Sequence, residues 1–511
     1  MRKEPATFSY HFTARALLRL MKPVFLVLIL CATVCFQTKT ANAILPVTGV
    51  EVQELAVFDA AMQSFMGTHG LQAGILGISK DGCIVYQRGF GYAFNQTDPL
   101  PENTIMRLAS VEKPHTAAVI RYLVADGILA FTDFVFDMEQ ESPAGERRLL
   151  DARFPSSEYY PYDGDYGDAR LADIRVGDLM NHEGGWDRGL KFCPFDHSKM
   201  LEIGYAVGSY PESPPSREEI VRYMMSDSLQ FDPGNLPPRC DFNFEDKCTG
   251  AIVGTDSLCY CDNYSNYGYM LLSLIIEQET GQQHTDAINQ RVYIPEMWVP
   301  STEIIFGEAL RPDQSPREPL YLSSGLCTSL YILNLVCYCP YGSMVMEVKT
   351  GEGNLVGSAA PLLTFLDHYS VPRGAVISSA ETGSKNGALP GTSTMIRQRE
   401  DGFNVVVLFN QRVADMDAAG EVASETYTLI DTTPGIDWES LKCIDGFWID
   451  FNRRGSGFGG HDDPFHLMSI ALGAITDDTK LRIKPGASNW TGTITTRTLI
   501  DAPFGTVVIG Q

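Results

Sequence analysis

Two pairs of strand-like segments enclose most of this 511-residue sequence, and they restrict its fold more than any other feature. Residues 73–93 (AGILGISKDGCIVYQRGFGYA) predict two strands joined by a turn at 80–82. Residues 393–412 (STMIRQREDGFNVVVLFNQR) predict a second pair that turns at Asp401-Gly402. Helical spacing of apolar residues occurs at 55–67, 110–127 and 266–279. Strands at both ends and helices between them predict an α+β fold with an antiparallel sheet flanked by helices.

The N-terminal residues 1–43 have the pattern of an export signal. A basic flank precedes an apolar run at 23–36, and Ala41-Asn42-Ala43 offers a small-residue cleavage site. The run is shorter than the roughly 20 residues that a membrane helix needs. We therefore expect a secreted protein, extracellular or periplasmic. An uncleaved N-terminal anchor is the alternative, and only that case would bring the chain to a membrane.

Charge and cysteine content restrict the function classes further. A net charge of −24 argues against nucleic-acid binding, which needs a basic surface. Ten of the twelve cysteines lie outside the signal, and an even number in an exported chain predicts disulfides. The C-x-C pairs Cys259/Cys261 and Cys337/Cys339 are the alternative, a metal site, but no histidine has matching spacing. We expect neither a metal nor a cofactor.

Three short motifs carry the chemistry, and Ser110-Val-Glu-Lys113 is the first. At the start of a helix, residues i and i+3 share a face, so Ser110 and Lys113 would point the same way. A serine hydroxyl becomes a good nucleophile only when a base removes its proton. The motif alone is weak evidence, because it is short enough to occur by chance.

The other two motifs add a phenol and a second lysine. Tyr264-Ser-Asn266 precedes a predicted helix, and Lys385-Asn-Gly387 lies at the edge of a predicted strand. Two nearby ammonium groups would favour the phenolate of Tyr264, which then becomes a candidate base. A glycine at 387 indicates close approach of the backbone, which we attribute to the substrate. The structural alternatives are a buried tyrosine and a solvated lysine at a strand end.

In these contexts the chain resembles the serine beta-lactamase and penicillin-binding-protein-like family, which includes class C beta-lactamases, D-amino-acid carboxypeptidases and related esterases. The resemblance covers roughly residues 55–440 and rests on four segments. These are MRLASVEKPHTAAVIRYLVADGILAFTD, VGDLMNHEGGWDR, YSNYGYMLLSLIIEQETG and KNGALPGTSTMIRQREDGFNVVVLFNQR. It implies the beta-lactamase/transpeptidase-like fold, with a mostly helical subdomain beside the sheet.

The resemblance also implies roles for individual residues. Ser110 would be acylated, and Lys113 and Tyr264 would share the proton transfers. The backbone N–H groups of Ser110 and Ala388 would form the oxyanion hole. Substrate-binding groups are expected at Asn266, Lys385, Asn386 and Gly387. Asn266 would hold the substrate amide or Lys113, and Lys385 would orient Tyr264 or bind a substrate carboxylate.

Some residues depart from the family pattern or suggest other chemistry. Asn386 stands where the family has threonine or serine, and Glu112 stands where a small polar residue is usual. His182 is an alternative base, although we favour a structural role. The carboxylates of 163–168 suggest calcium, although a solvated loop is favoured because the later bidentate glutamate is missing. Trp186 and Asp187 line the cleft or pack within a loop.

The expected organisation is a signal at 1–43, a hydrolase domain at 44–440 and a strand-rich segment of unknown role at 441–511. Stretches 141–170 and 235–262 have the composition of insertions. We predict an acyl-serine hydrolase of esters or amides, D-amino-acid peptides and beta-lactams included, acting on a small molecule or peptide. The alternative is a catalytically silent binding or assembly protein that keeps this fold.

Overall fold

The computed structural model describes residues 44–94, 97–139, 145–186, 194–235, 264–293, 302–332, 335–371, 382–414, 416–441, 443–444, 446–455, 457, 459, 464–475, 479–502 and 506–510. Residues 45–511 form one unit. The predicted export signal, Asp187 and the cysteine-bearing stretch 236–262 lie outside the described residues.

An antiparallel six-stranded sheet is built from the two predicted strand pairs, one short N-terminal strand and one further strand that carries Lys385, in the order β1-β3-β2-β13-β12-β11. The two pairs meet in the middle, where Val406 of one pairs with Gly77 of the other. The predicted turns are confirmed between the strands of each pair. The strands are β1 Val47–Thr48, β2 Ala73–Lys80, β3 Cys83–Gly91, β11 Ser384–Leu389, β12 Thr392–Gln398 and β13 Phe403–Phe409.

Helices cover both faces of this sheet, because successive strand residues point to opposite sides and both sides are apolar. Leu76 and Val407 face a cluster with the helices at 56–69 and 418–432, and Ile75 and Val406 face the larger core, which contains the helices between residues 112 and 368. The helices are α1 Ala56–His69, α2 Glu112–Ala125, α3 Val176–Met180, α4 His197–Val207, α5 Arg217–Met225, α6 Asn266–Thr280, α7 His284–Ile288, α8 Ala359–His368, α9 Ala418–Thr432 and α10 Met468–Ala474.

Helix α6 lies within the larger core, and its start and end follow from its sequence. Ser265 caps its first turn by accepting a hydrogen bond from the Gly268 N–H at 3.0 Å. Gly281 ends it in the left-handed conformation, as predicted. Within the described residues, no helix has both the length and the apolar character that crossing a bilayer requires.

The middle of the chain also contains shorter strands, so it is less helical than the sequence suggests. Part of the stretch that has the composition of an insertion packs Leu150 and Tyr159 into the larger core. These strands are β4 Met106–Arg107, β5 Phe134–Asp137, β6 Arg148–Asp151, β7 Ile304–Phe306, β8 Leu326–Thr328, β9 Val336–Tyr338 and β10 Leu355–Gly357.

The C-terminal segment is strand-rich and has an apolar cluster of its own around Ile449, Phe465 and Leu481. Its strands pair in parallel, β14 with β15, β15 with β17, and β16 with β18. They are β14 Phe447–Ile449, β15 Thr479–Ile483, β16 Gly486–Ser488, β17 Thr498–Asp501 and β18 Val507–Ile509. A disulfide between Cys83 and Cys443 joins the beginning of β3 to the first residues of this segment, before β14.

Candidate active site

Ser110 lies in a single 3₁₀ turn, Ala109–Val111, that leads directly into α2. This turn places Lys113 one turn farther along the same face, and its Nζ lies 3.4 Å from the Ser110 Oγ. Ala109 has a φ of +50°, a left-handed conformation that is rare for a residue with a Cβ. The backbone conformation before Ser110 is thus strained, which is a recurring feature of active sites.

Lys113 is buried and is surrounded by acceptors. Its Nζ donates to the Asn266 Oδ1 at 2.8 Å and to the Glu352 carbonyl oxygen at 2.8 Å. The Glu352 Oε2 lies 3.5 Å away. Asn266 therefore contacts the lysine, one of the two roles implied by the resemblance.

Tyr264 directly precedes the cap of α6, where His182 contacts the backbone and the tyrosine ring. The His182 Nδ1 accepts a hydrogen bond from the Ser265 N–H at 3.1 Å, and its ring centroid lies 4.6 Å from that of Tyr264. A histidine that uses Nδ1 to fix the neighbouring backbone positions the tyrosine. This geometry favours the structural role of His182 over that of a base.

Two lysines lie over the ring of Tyr264. The Nζ of Lys113 is 4.7 Å from the ring centroid, and that of Lys385 is 4.4 Å from it. Burial opposes the phenolate, but the positive charges of Lys113 and Lys385 outweigh it and lower the pKa of Tyr264 below its ordinary value. Hydrogen bonds with Lys113 and Ser110 act in the same direction.

Strand β11 forms the edge of the sheet beside the 3₁₀ turn. A Cβ at Gly387 would lie 2.3 Å from the Leu108 carbonyl oxygen and 3.1 Å from the Ala109 Cβ. The glycine therefore allows close approach of the backbone that carries Ser110, and a substrate contact at Gly387 stays a prediction. Ala388 follows on the exposed edge of the strand.

Asn386 contacts the residue that caps α9. Its side chain is exposed, and its Nδ2 donates to the Asp417 Oδ2 at 3.1 Å. Asp417 in turn caps α9 by accepting from the Gly420 N–H. A substrate contact through Asn386 would have to compete with this bond.

Glu352 was not among the residues expected from the sequence. It is buried, its Oε1 lies 3.1 Å from the Lys349 Nζ, and its Oε2 faces Lys113. Burial opposes its charged form, yet the two lysines lower the pKa of Glu352 below its ordinary value. The only sequence signal is a charged KTGEGN stretch between apolar segments, and it does not specify a partner.

The described parts of the other candidates have structural partners. Asp168 accepts hydrogen bonds from Arg170, Asp163 accepts one from Ser226, and Trp186 packs edge-on against Tyr267. Cys327 and Cys339 form a disulfide, so the Cys337/Cys339 pair is not a metal-binding dithiol. No cluster of metal-ligating side chains occurs among the residues that the structure describes.

Comparison with known proteins gives a family match. The Beta-lactamase family profile matches residues 58–236, which include Ser110, Lys113 and His182. Penicillin-binding protein 4* of Bacillus subtilis (strain 168) is 27% identical over 222 residues, 42% of this chain. The chain spans about a third of that relative's length, 35%.

Several solved structures are similar in backbone at low identity. The D-amino acid amidase of Ochrobactrum anthropi SV3 has 16% identity and a TM-score of 0.48, covering 74% of this chain and all of the amidase chain. A class C beta-lactamase has 13% identity and a TM-score of 0.47, covering 75% of this chain and 98% of its own. The profile match over residues 58–236 and the similarity to the Bacillus subtilis relative agree with the resemblance to the serine beta-lactamase and penicillin-binding-protein-like family.

Proposed function

We propose that the protein is a secreted serine hydrolase that cleaves ester or amide bonds through an acyl-enzyme on Ser110. The observation that carries this proposal is the cluster of Ser110, Lys113, Tyr264 and Lys385, in which two lysines lower the pKa of the tyrosine. A tyrosine that served only to pack would not need two lysines over its ring. The cluster supplies a nucleophile and a base whose charged form is favoured.

In the first step the Tyr264 phenolate takes the proton of the Ser110 hydroxyl while the Ser110 Oγ attacks the carbonyl carbon. The negative charge moves to the carbonyl oxygen, where the N–H groups of Ser110 and Ala388 would stabilise it. Such donors each contribute about 3 kcal/mol to barrier lowering. Collapse breaks the bond to the leaving group, which receives the proton from Tyr264.

In the second step water replaces the leaving group. Tyr264 takes a proton from the water as it attacks the acyl carbon, and then returns that proton to the Ser110 Oγ. Lys113 stays in place beside Tyr264 through both steps, because its Nζ donates to the carbonyl oxygens of Asn266 and Glu352 and lies near the Glu352 carboxylate.

The position of Lys385 is the basis for the class of substrate that we propose. It is the second charge on Tyr264 and lies on the edge strand beside Ser110, where a substrate carboxylate would meet it. A charge-assisted hydrogen bond to that carboxylate is stronger than a neutral one. We therefore propose substrates with a carboxylate near the scissile bond, a description that peptides and beta-lactams both fit.

Secretion is part of the proposal and rests on two observations. The first is the export pattern at residues 1–43. The second is the pair of disulfides, Cys83–Cys443 and Cys327–Cys339, which persist in oxidising compartments.

The test is the intact mass of the protein after incubation with a fluorophosphonate. We expect one covalent adduct, which peptide mapping assigns to Ser110, and hydrolysis of a short-chain aryl ester. Ser110→Ala should abolish both and leave the thermal unfolding midpoint nearly unchanged, because the hydroxyl is not a packing group. Absence of an adduct on the wild-type protein would instead favour the silent binding protein.

A further inference from the structure

Glu112, between Ser110 and Lys113 in sequence, is a fully buried carboxylate without a role in the mechanism above. Its Oε1 accepts a hydrogen bond from the Gly351 N–H at 2.7 Å. Its Oε2 accepts from the Leu355 N–H at 3.1 Å and also from the Asn354 N–H. One carboxylate thus receives three backbone amides from a single short stretch of chain.

The same stretch provides the acceptors around Lys113. We call residues 349–355 the clamp segment. Its Glu352 offers Lys113 a carbonyl oxygen at 2.8 Å and a carboxylate oxygen at 3.5 Å, and its Lys349 holds that carboxylate at 3.1 Å. Its amides therefore point to Glu112, and its acceptors point to Lys113.

We propose that Glu112 is a positioning residue that acts through the clamp segment to keep Glu352 on Lys113. Glu112 and Lys113 are adjacent on α2 and bind opposite sides of the clamp segment. A shift of the amides that Glu112 binds would therefore also move the acceptors around Lys113. The charge on Lys113 is what favours the Tyr264 phenolate, so Glu112 supports proton transfer without touching the substrate. This inference rests on the proposed function.

The clamp segment also has anchors that do not involve Glu112. Thr116 donates to the Gly351 carbonyl oxygen at 2.8 Å. Gly351 has a φ of +88°, and a Cβ there would lie 2.3 Å from the Tyr269 carbonyl oxygen. The segment therefore fits closely against α6, and a variant at position 112 should loosen it without unfolding the protein.

Other charged groups face the two ends of this arrangement. On the Glu112 side, the His284 Nδ1 lies 3.4 Å from the Oε1, and burial lowers the pKa of His284 to about 3. Burial also raises the pKa of Glu112 to about 7, although its three amides oppose this. Around Lys113 are Tyr264 and the Glu352 carboxylate. At alkaline pH the carboxylates are charged and His284 is neutral.

The test is the rate of Ser110 modification by a fluorophosphonate as a function of pH. Glu112→Gln replaces the Oε2 by an NH₂ group that opposes the N–H groups of Asn354 and Leu355. Glu352→Gln removes the carboxylate from Lys113 directly. A carboxylate favours ammonium over amine, so both variants should move the alkaline limb of the profile to lower pH, by about one unit.

The double variant separates positioning from a direct effect of charge. If Glu112 acts through Glu352, Glu112→Gln/Glu352→Gln shifts the limb no farther than Glu352→Gln alone. If the two carboxylates act independently on Lys113, the shifts add, and the inference is wrong. Glu303→Gln is the matched control, because Glu303 is a buried carboxylate that binds Arg317 and Ser358 instead of the clamp segment. It should lower stability and keep the wild-type limb.

The outcomes also separate this inference from the proposed function. No adduct on the wild-type protein contradicts the proposed function. An adduct with a wild-type alkaline limb in Glu112→Gln, beside a shifted limb in Glu352→Gln, contradicts only the role of Glu112. Should Glu112→Gln not fold, Glu112→Asp takes its place. The carboxylate of Glu112→Asp is one methylene farther from the amides. The alkaline limb of its pH profile should therefore lie between those of the wild-type protein and Glu352→Gln. An alkaline limb at the wild-type position would overturn the inference.

Discussion

Ala109 and Gly387 show how two small residues place the nucleophile against the sheet edge. Ala109 has a φ of +50°, and this turn brings the Leu108 carbonyl oxygen into the space where a Cβ of residue 387 would lie. The Thr394 Oγ1 donates to the same carbonyl oxygen at 2.8 Å, which fixes it from the next strand. Strained backbone before Ser110 is therefore held by contacts from two strands of the sheet.

The pKa of Tyr264 leads to a prediction about pH. If its phenolate is the base, the acid limb of kcat/KM lies below pH 10, the ordinary tyrosine value. Lys385→Gln removes one of the two charges that favour the phenolate, so the acid limb should move to higher pH. The measurement is a pH profile of kcat/KM with a neutral aryl ester. In Tyr264→Phe the rate should fall by about 10²–10⁴. An acid limb that Lys385→Gln leaves in place would contradict this role of Lys385.

Lys385→His tests whether the same lysine also recognises the substrate. At pH 8 a histidine keeps a ring near Tyr264 and loses most of the positive charge. We expect kcat/KM for a carboxylate-bearing substrate to fall by about 1.5–3 kcal/mol more than for its neutral methyl ester, the range for a hydrogen bond to a charged group. Equal losses on both substrates would leave Lys385 only its effect on Tyr264. No loss on either would mean a solvated lysine.

Among individual residues, the sequence predicts those that belong to a motif or to a periodic pattern. It misses those whose position depends on contacts between distant parts of the chain. Ser110 and Lys113 are three positions apart on one helix face, so their proximity follows from helix geometry. Glu352 is 239 positions from Lys113, and nothing local to either residue specifies that they meet. The glycine at 387 predicts a close approach, but the sequence does not indicate that the Leu108 carbonyl oxygen lies there.

At the scale of elements, the central sheet follows from local patterns, and the C-terminal strands do not. The hairpins β2–β3 and β12–β13 have turn residues and apolar strands that specify their own partners. Strands β15 and β17 pair in parallel across an intervening segment, and an isolated strand pattern cannot indicate such a partner. Helix α10, within the same segment, was also not predicted.

The disulfide between Cys83 and Cys443 should contribute to stability, because it links residues 360 positions apart and so restricts the unfolded chain. We expect Cys83→Ala/Cys443→Ala to lower the free energy of unfolding by about 2–5 kcal/mol in non-reducing denaturant titrations. Cys337→Ala is the matched control, since Cys337 has no disulfide in the described part of the chain. A double variant as stable as the control would show that the bond contributes nothing.

At the scale of the whole molecule, the body built on the central sheet and the C-terminal segment are stabilised by different sets of contacts. Residues up to about 441 supply the two apolar clusters on either face of the central sheet. Trp438 belongs to that body, because its ring lies 4.8 Å from that of Phe403 and 6.2 Å from that of Phe58. Beyond Ile444, the described strands β14 to β18 pair only with one another.

These contacts predict that a chain ending at Ile444 keeps its fold and its activity. The truncation retains the Cys83–Cys443 disulfide and the hydrogen bond from the Ile444 N–H to the Ile84 carbonyl oxygen at 2.8 Å. What it removes is a segment with its own apolar cluster. We expect an unchanged rate of fluorophosphonate labelling and a thermal midpoint close to that of the full chain.

A chain ending at Thr433 is the control, because it also removes Trp438 and Cys443. The half-buried ring of Trp438 packs against the cluster on one face of the sheet, and loss of a native disulfide alone costs about 2–5 kcal/mol. This shorter chain should therefore unfold at a clearly lower temperature while the chain ending at Ile444 does not. If both truncations lose stability and labelling equally, the segment after Ile444 is a structural part of the hydrolase, and the boundary predicted near residue 440 is wrong.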